Sequence, residues 1–258
     1  EAQLPKEQMS SLLDQTLFFL NAYSLLSASN KLVVLAPHAA GVDCLWPPPD
    51  APLGEVAAPS NPRALRAAFL AGVESAADRW ASQAGTSSSA AAASGGRGVS
   101  SEPLLSAALS LAICRVQRMH RLDPRTEGRL LILHASPDAP AQYLACMNCV
   151  FAAQKLGMLV DTVMLSSAGG DSMVLQQASH LTGGLYLKPD AQTVRALGQY
   201  LVTSVLPNKH MRSRLQPPTQ REPDPRALCF ETQQPVEMGF ACSVCLAVFS
   251  HDKLAVCP

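Results

Sequence analysis

Four cysteines, Cys229, Cys242, Cys245 and Cys257, crowd into the last thirty residues of a chain that has eight in all. Cys242-Ser-Val-Cys245 has the spacing of a zinc knuckle, in which two sulfurs of one tight turn reach a single tetrahedral ion. Cys257 follows twelve residues later, and we read it as the first half of a second pair whose other member lies past Pro258. The expected ligands are therefore Cys242, Cys245 and Cys257, with the fourth place open among Cys229, His251 and water. The clustering favours a metal module in a reducing compartment over a disulfide framework. A module this short buries too little to fold alone, and structural zinc contributes on the order of 10 kcal/mol.

The other chemistry-bearing residues point elsewhere. Cys146-Met-Asn-Cys149 has knuckle spacing but sits in an apolar helical stretch with no second pair, so it is read as core. Cys44 and Cys114 are read the same way. His134, Ser136 and Asp138 follow a strand, where open α/β sheets bind ligands. A Ser-His-Asp relay needs the imidazole between its partners, which alternate residues of one strand end do not provide. Asp161 lies inside a strand and is expected to be a hydrogen-bonded structural carboxylate. The sequence holds neither a Gly-x-Ser-x-Gly elbow nor a Gly-x4-Gly-Lys-Ser/Thr phosphate loop. It predicts a protein that is not an enzyme.

The elements that would position these residues alternate. Residues 128–134 (GRLLILH), 158–165 (MLVDTVML) and 185–187 (LYL) read as buried strands. Helical spacing over 138–157 and again from Asp171, the expected N-cap, to Thr182 separates them. Strand–helix–strand alternation forces parallel pairing, so the fold class is α/β with a doubly wound, mainly parallel sheet. Upstream, helices are expected over 10–26, from Asn61-Pro62 to about Trp80, and over 102–121, with strands at 31–36 and 42–46. A last helix covers 191–206.

Composition divides the chain. Residues 82–101 (SQAGTSSSAAAASGGRGVSS) lack the apolar side chains needed to offset ordering entropy and read as a mobile low-complexity surface insertion, with a functional lid as the lesser reading. Residues 207–227 form a linker whose span 207–226 has five prolines, five Lys or Arg and two acidic residues. It is read as a solvated tether, with direct DNA contact left open. The domains are thus 1–206, the linker, and a truncated finger over 228–258. With 20 basic and 20 acidic residues, the chain has no electrostatic footprint for bulk nucleic-acid or membrane binding. The chain opens at Glu1 without an initiator Met and is expected to be a fragment.

Several stretches carry a resemblance. They are Asn30-Lys-Leu-Val-Val-Leu-Ala36, Phe151-Ala-Ala-Gln-Lys155, Leu175-Gln-Gln-Ala178 and Leu181-Thr-Gly-Gly-Leu-Tyr-Leu-Lys188. Gln199-Tyr-Leu201, Leu206-Pro207, Arg212, Leu215, Cys229 and Gly239-Phe-Ala-Cys-Ser-Val-Cys-Leu246 complete the set. Together they resemble the 34-kilodalton subunits of the general transcription and DNA-repair factor TFIIH. The resemblance implies a von Willebrand factor A-like domain, its first strand absent here, followed by a four-cysteine zinc finger. It implies a structural role in the TFIIH core, in RNA polymerase II initiation and nucleotide excision repair, and a nuclear location. The implied partner is the larger von Willebrand-like subunit, through its RING-like domain, with the helicase subunits held indirectly. Metal-binding relatives of that fold use Asp-x-Ser-x-Ser, which this sequence lacks, so no Mg2+ is expected. The alternative is a metal-dependent ligand-binding module of adhesion or proteasomal type. A RING enzyme of ubiquitin transfer is disfavoured, because Cys229, Cys242, Cys245, His251 and Cys257 are too few for two cross-braced zinc ions.

Overall fold

The computed structural model describes residues 6–39, 41–47, 62–90, 103–136, 138–165, 171–190, 194–220, 222–224, 226–232, 234–242 and 247–251. Its centre is a three-stranded parallel sheet of β3 (Arg129–His134), β4 (Leu159–Met164) and β5 (Tyr186–Leu187), in that spatial order. The register sets Arg129 against Leu159 and Leu131 against Asp161, and pairs Thr162 with Tyr186. Successive side chains of a strand point to opposite faces, and here both faces are covered. Leu131, Leu133 and Val163 pack with Leu12, Leu17 and Leu20 of α1 (Lys6–Leu26) and with Leu65 and Phe69 of α2 (Pro62–Ala90). Leu130, Ile132 and Val160 pack with α3 (Leu105–Leu122), α4 (Tyr143–Lys155) and α5 (Met173–Thr182) on the other side. Each fully buried leucine contributes roughly 1.5–3 kcal/mol. The doubly wound arrangement of helices about a parallel sheet follows from these two apolar faces.

An antiparallel pair, β1 (Val34–His38) and β2 (Gly41–Trp46), shares the first core through Val34, Ala36 and Leu45. Among the described residues β1 pairs only with β2 and β3 only with β4, so hairpin and parallel sheet are separate sheets in one core. No helix among the described residues is long and apolar enough to cross a membrane.

Three expectations are corrected. The helix begun at Pro62 does not stop near Trp80 but runs to Ala90, into the Ser/Ala insertion. Extending an existing helix through proline-free sequence is far easier than nucleating one. Residues 91–101 of the insertion lie outside the described residues. Second, α5 is capped not by Asp171 but by Ser172, whose Oγ accepts from the Leu175 amide at 3.1 Å. Asp171 instead pairs with Lys188 at 2.7 Å. Ser172→Ala is expected to lower stability by about 1 kcal/mol, read as a melting temperature about 2–4 °C lower. Third, the last helix is not regular. Its described part is α6 (Leu197–Tyr200) followed by a π-helical turn, Leu201–Val205, closed by Leu206 N–H donating to the Leu201 carbonyl at 3.0 Å. The wide turn re-aims the closing carbonyls of Val205, Leu206 and Pro207.

Candidate functional site: a buried carboxylate clamp and the terminal knuckles

Those carbonyls face a buried cluster centred on Asp161. Its side chain is 1% exposed, and its carboxylate accepts five hydrogen bonds. Arg129 of β3 gives two, from Nε at 2.9 Å and Nη2 at 2.8 Å, both to Oδ2. Arg212 closes a bidentate fork, Nη1 to Oδ1 at 2.7 Å and Nη2 to Oδ2 at 2.8 Å. The Leu185 amide adds a fifth at 2.9 Å. Two guanidiniums exceed one carboxylate by a charge, and the helix-terminal carbonyls offset it. Arg129 donates to the carbonyls of Val205, Leu206 and Pro207, and Arg212 to those of Val205 and Pro207. Burial pushes the Asp161 carboxyl up from its ordinary value, and the Arg129 guanidinium and Leu185 amide act against that rise. A carboxylate offers about four lone-pair sites. All are taken, so Asp161 is a structural carboxylate with nothing left for proton abstraction.

Arg212 closes α7 (Lys209–Arg212), a turn within the segment read as a solvated tether. That segment is therefore pinned at Arg212, and two of its five basic residues, Arg212 and Arg226, are engaged in ion pairs among the described residues. Arg226 pairs with Asp224 at 2.5 Å and Glu237 at 3.7 Å, and Arg221 lies outside the described residues. Of the five basic residues, Lys209 and Arg214 are left with no ion pair among the described residues.

Of the triad candidates, Asp138 is engaged at a helix end. Asp138 Oδ2 accepts from the Met173 amide at 3.0 Å, adding a second cap to α5. His134, Asp138, Gln142, Tyr143 and Cys146 line a pocket of ≈ 20 Å³, about the space of one water. Cys146 is core, as expected, and burial pushes its thiol up to about 12. Cys44 and Cys149 are half-buried, and Cys114 is exposed, contrary to the core reading.

The terminal module consists of two small antiparallel hairpins. One is β6 (Ala227–Leu228) with β7 (Pro235–Val236), the other β8 (Phe240–Ala241) with β9 (Val248–Phe249). Their turns match. Cys229 N–H donates to the Gln234 carbonyl at 2.9 Å, and Cys242 N–H donates to the Ala247 carbonyl at 2.9 Å, each closing a loop of the same length. Phe230 N–H, donating to the Val248 carbonyl at 2.8 Å, joins the hairpins. Cys229 is fully buried, and hydrogen bonding with Thr232 and then Ser250 lowers its thiol to about 6. Cys242 is half-buried, whereas Cys245 and Cys257 lie outside the described residues. Among the described residues no three His, Cys, Asp or Glu side chains converge as a metal site. His251 is engaged with Glu231 at 3.4 Å.

Sequence reasoning missed the clamp, because its residues stand 32 and 51 positions apart. The one available signal was a charged residue, Asp161, in an otherwise apolar strand.

Comparison with known proteins adds the following. The family described as "Transcription factor Tfb4" matches residues 1–258. A Dictyostelium discoideum protein, "General transcription factor IIH subunit 3", is 44% identical over 144 residues, 56% of this chain and 38% of that protein. An Arabidopsis thaliana relative, "General transcription and DNA repair factor IIH subunit TFB4", is 40% identical over 60% of this chain and 51% of its own length. The Schizosaccharomyces pombe counterpart is 30% identical over 96% of this chain and 79% of its own. The chain thus spans 38% and 51% of the length of the first two of these relatives. In fold it is similar to the crystal structure of the TFIIH p34 N-terminal domain. The TM-score is 0.55 at 24% identity, over 75% of this chain and 85% of that one.

Proposed function

The chain belongs to the Tfb4 family of transcription factors, and from that premise we propose that it is a non-catalytic structural subunit of the TFIIH core complex, acting in the nucleus in RNA polymerase II initiation and nucleotide excision repair. The family match over residues 1–258 carries this reading. The clamp supports it, since the buried carboxylate of the sheet is fully engaged in holding segments together. In this reading, residues 1–206 are a von Willebrand factor A-like unit, 207–227 connect it onward, and 228–258 are a zinc finger. Support for the fold comes from the parallel sheet with helices on both faces and the β1–β2 hairpin in the same core. The partner is the larger von Willebrand-like subunit, met through its RING-like domain, with the helicase subunits reached indirectly.

Thiolates at Cys242, Cys245 and Cys257 would hold a structural zinc. The fit is supported by the equally spaced closing hydrogen bonds at Cys229 and Cys242, and by a Cys229 thiol lowered from its ordinary value by hydrogen bonding with Thr232 and Ser250. No magnesium is proposed at the carboxyl end of the sheet, where Asp138 is engaged in capping α5.

Co-purification of the intact protein with the RING-like domain of the larger subunit tests the reading. A stoichiometric complex is expected, and its absence overturns the scaffold. Metal analysis of Cys242→Ser should show zinc lost, with the complex still formed. Full zinc retention in that variant removes Cys242 from the ligand set.

A further inference from the structure

We propose that the segment 207–226 is a strap that locks the terminal module onto the α/β unit, with Asp161 as its latch. Its composition predicts a tether, yet it is fastened at three points, each on a different element. At the first, Asn208 Oδ1 accepts from the Met211 amide at 2.8 Å and shapes α7, so that Arg212 is aimed at Asp161. The fork at 2.7 and 2.8 Å is bidentate and almost dry, with Arg212 11% exposed and Asp161 1% exposed. A planar guanidinium on a carboxylate fixes direction as well as distance. A lysine at this position would not.

At the second point, Gln220 Oε1 accepts from the Tyr186 amide at 2.8 Å. The Leu185 carbonyl serves the Thr162 amide of β4, so the Tyr186 amide is the one β5 turns outward. The strap thereby occupies the open edge of the sheet, the part of a sheet most prone to unwanted pairing. The third point lies on α5, where Gln177, 6% exposed, donates from Nε2 to the Asp224 carbonyl at 2.9 Å and the Arg226 carbonyl at 3.4 Å. Strand β6 begins at the next residue, so the module is anchored where it starts. Arg226 then reaches Glu237 beyond β7, tying strap to module.

With three anchors the strap holds the module at a set position against the sheet. The clamp stands independently of the TFIIH reading, and only the consequence for a partner rests on it. A partner that touches both the α/β unit and the module meets both surfaces already in register, without the entropic cost of ordering a free linker.

The experiment uses the whole chain and the Arg212→Met variant, which leaves Asp161 with Arg129 and the Leu185 amide. Native-state tryptic cleavage after Lys209 and Arg214 is expected to accelerate about tenfold or more. Amide exchange at Tyr186 should rise with it, while the β4 amides of Val160 and Val163 stay protected. Unchanged cleavage and unchanged Tyr186 exchange overturn the proposal. If Arg212→Met also exposes the β4 amides, the double variant Gln177→Ala, Gln220→Ala decides, because it leaves the buried charges alone. Faster exchange at Tyr186 and in the strap up to Gln220 supports the strap, and no change there refutes it. Neither readout involves a partner, so failure of the clamp and failure of the TFIIH assignment are told apart.

Discussion

Asp161→Ala is expected to lower the unfolding free energy by about 3–5 kcal/mol, read as a lower urea midpoint at unchanged slope. The magnitude follows from what stays behind. Arg129 is 24% exposed and Arg212 11%, so the substitution strands two guanidiniums that water reaches poorly, and leaves the Leu185 amide without its acceptor. Removing one member of a buried pair exposes the desolvation cost that the pair had offset. The surface pair Arg66–Asp14 has the same chemistry at 3.1 Å, but both side chains are 61% exposed. Asp14→Ala should therefore change stability by no more than about 1 kcal/mol. Burial, not charge, separates the two. A loss at Asp161 as small as that at Asp14 would show that the cluster contributes no more than a surface contact.

Gly184→Ala is the second large effect, expected to cost about 3 kcal/mol. Helix α5 ends at Gly183, whose φ of 73° supplies the left-handed cap, and the Gly184 amide then donates to the Ser179 carbonyl at 2.8 Å. This tight exit lays the chain directly on β4. A Cβ at position 184 would fall inside contact distance of the Val160 carbonyl oxygen and carbon. Neither side can give way easily, because Val160 is held opposite Leu130 in the ladder with β3. Relief requires β5 to move off, which also removes the Leu185 amide from Asp161. For a chain of this size the loss corresponds to a melting temperature about 6–12 °C lower. A drop below about 2 °C would mean that the backbone yields more readily than its pairing implies.

The alternating centre of the fold was readable because apolar runs of strand length, separated by helices, leave few other solutions. GRLLILH and MLVDTVML became β3 and β4 within one residue at either end. Boundaries failed where an element's end is decided by its neighbours. Asp171 is a good cap by type, but Lys188 draws it outward and Ser172 takes the role. The π-helical turn at Leu201–Val205 has no local signature, since its reason lies in the guanidiniums its carbonyls meet. The segment after Pro207 is exposed along most of its described length, as its composition predicts, but it is not a free tether, for the same reason. Proline and arginine content predicts solvation, and only the position of Asp161 in the folded sheet turns Arg212 into an anchor. The knuckle motif was visible at Cys242 and Cys245. The matching turn at Cys229 was not, because its fourth residue is Thr232 and so no paired-cysteine spacing marks it.

The order in which the clamp's parts are made has a consequence for synthesis. Arg129 precedes Asp161 by 32 residues, and Arg212 follows it by 51. A chain emerging from its N-terminus can pair β3 with β4 and give Asp161 its first guanidinium well before the second exists. Throughout that interval the edge of β5 also lacks Gln220. A nascent protein that folds in this order would have its sheet formed and its flank bare until the segment after Pro207 is translated. Ribosome-bound intermediates halted between Tyr186 and Arg212 are where a chaperone would find a surface to hold.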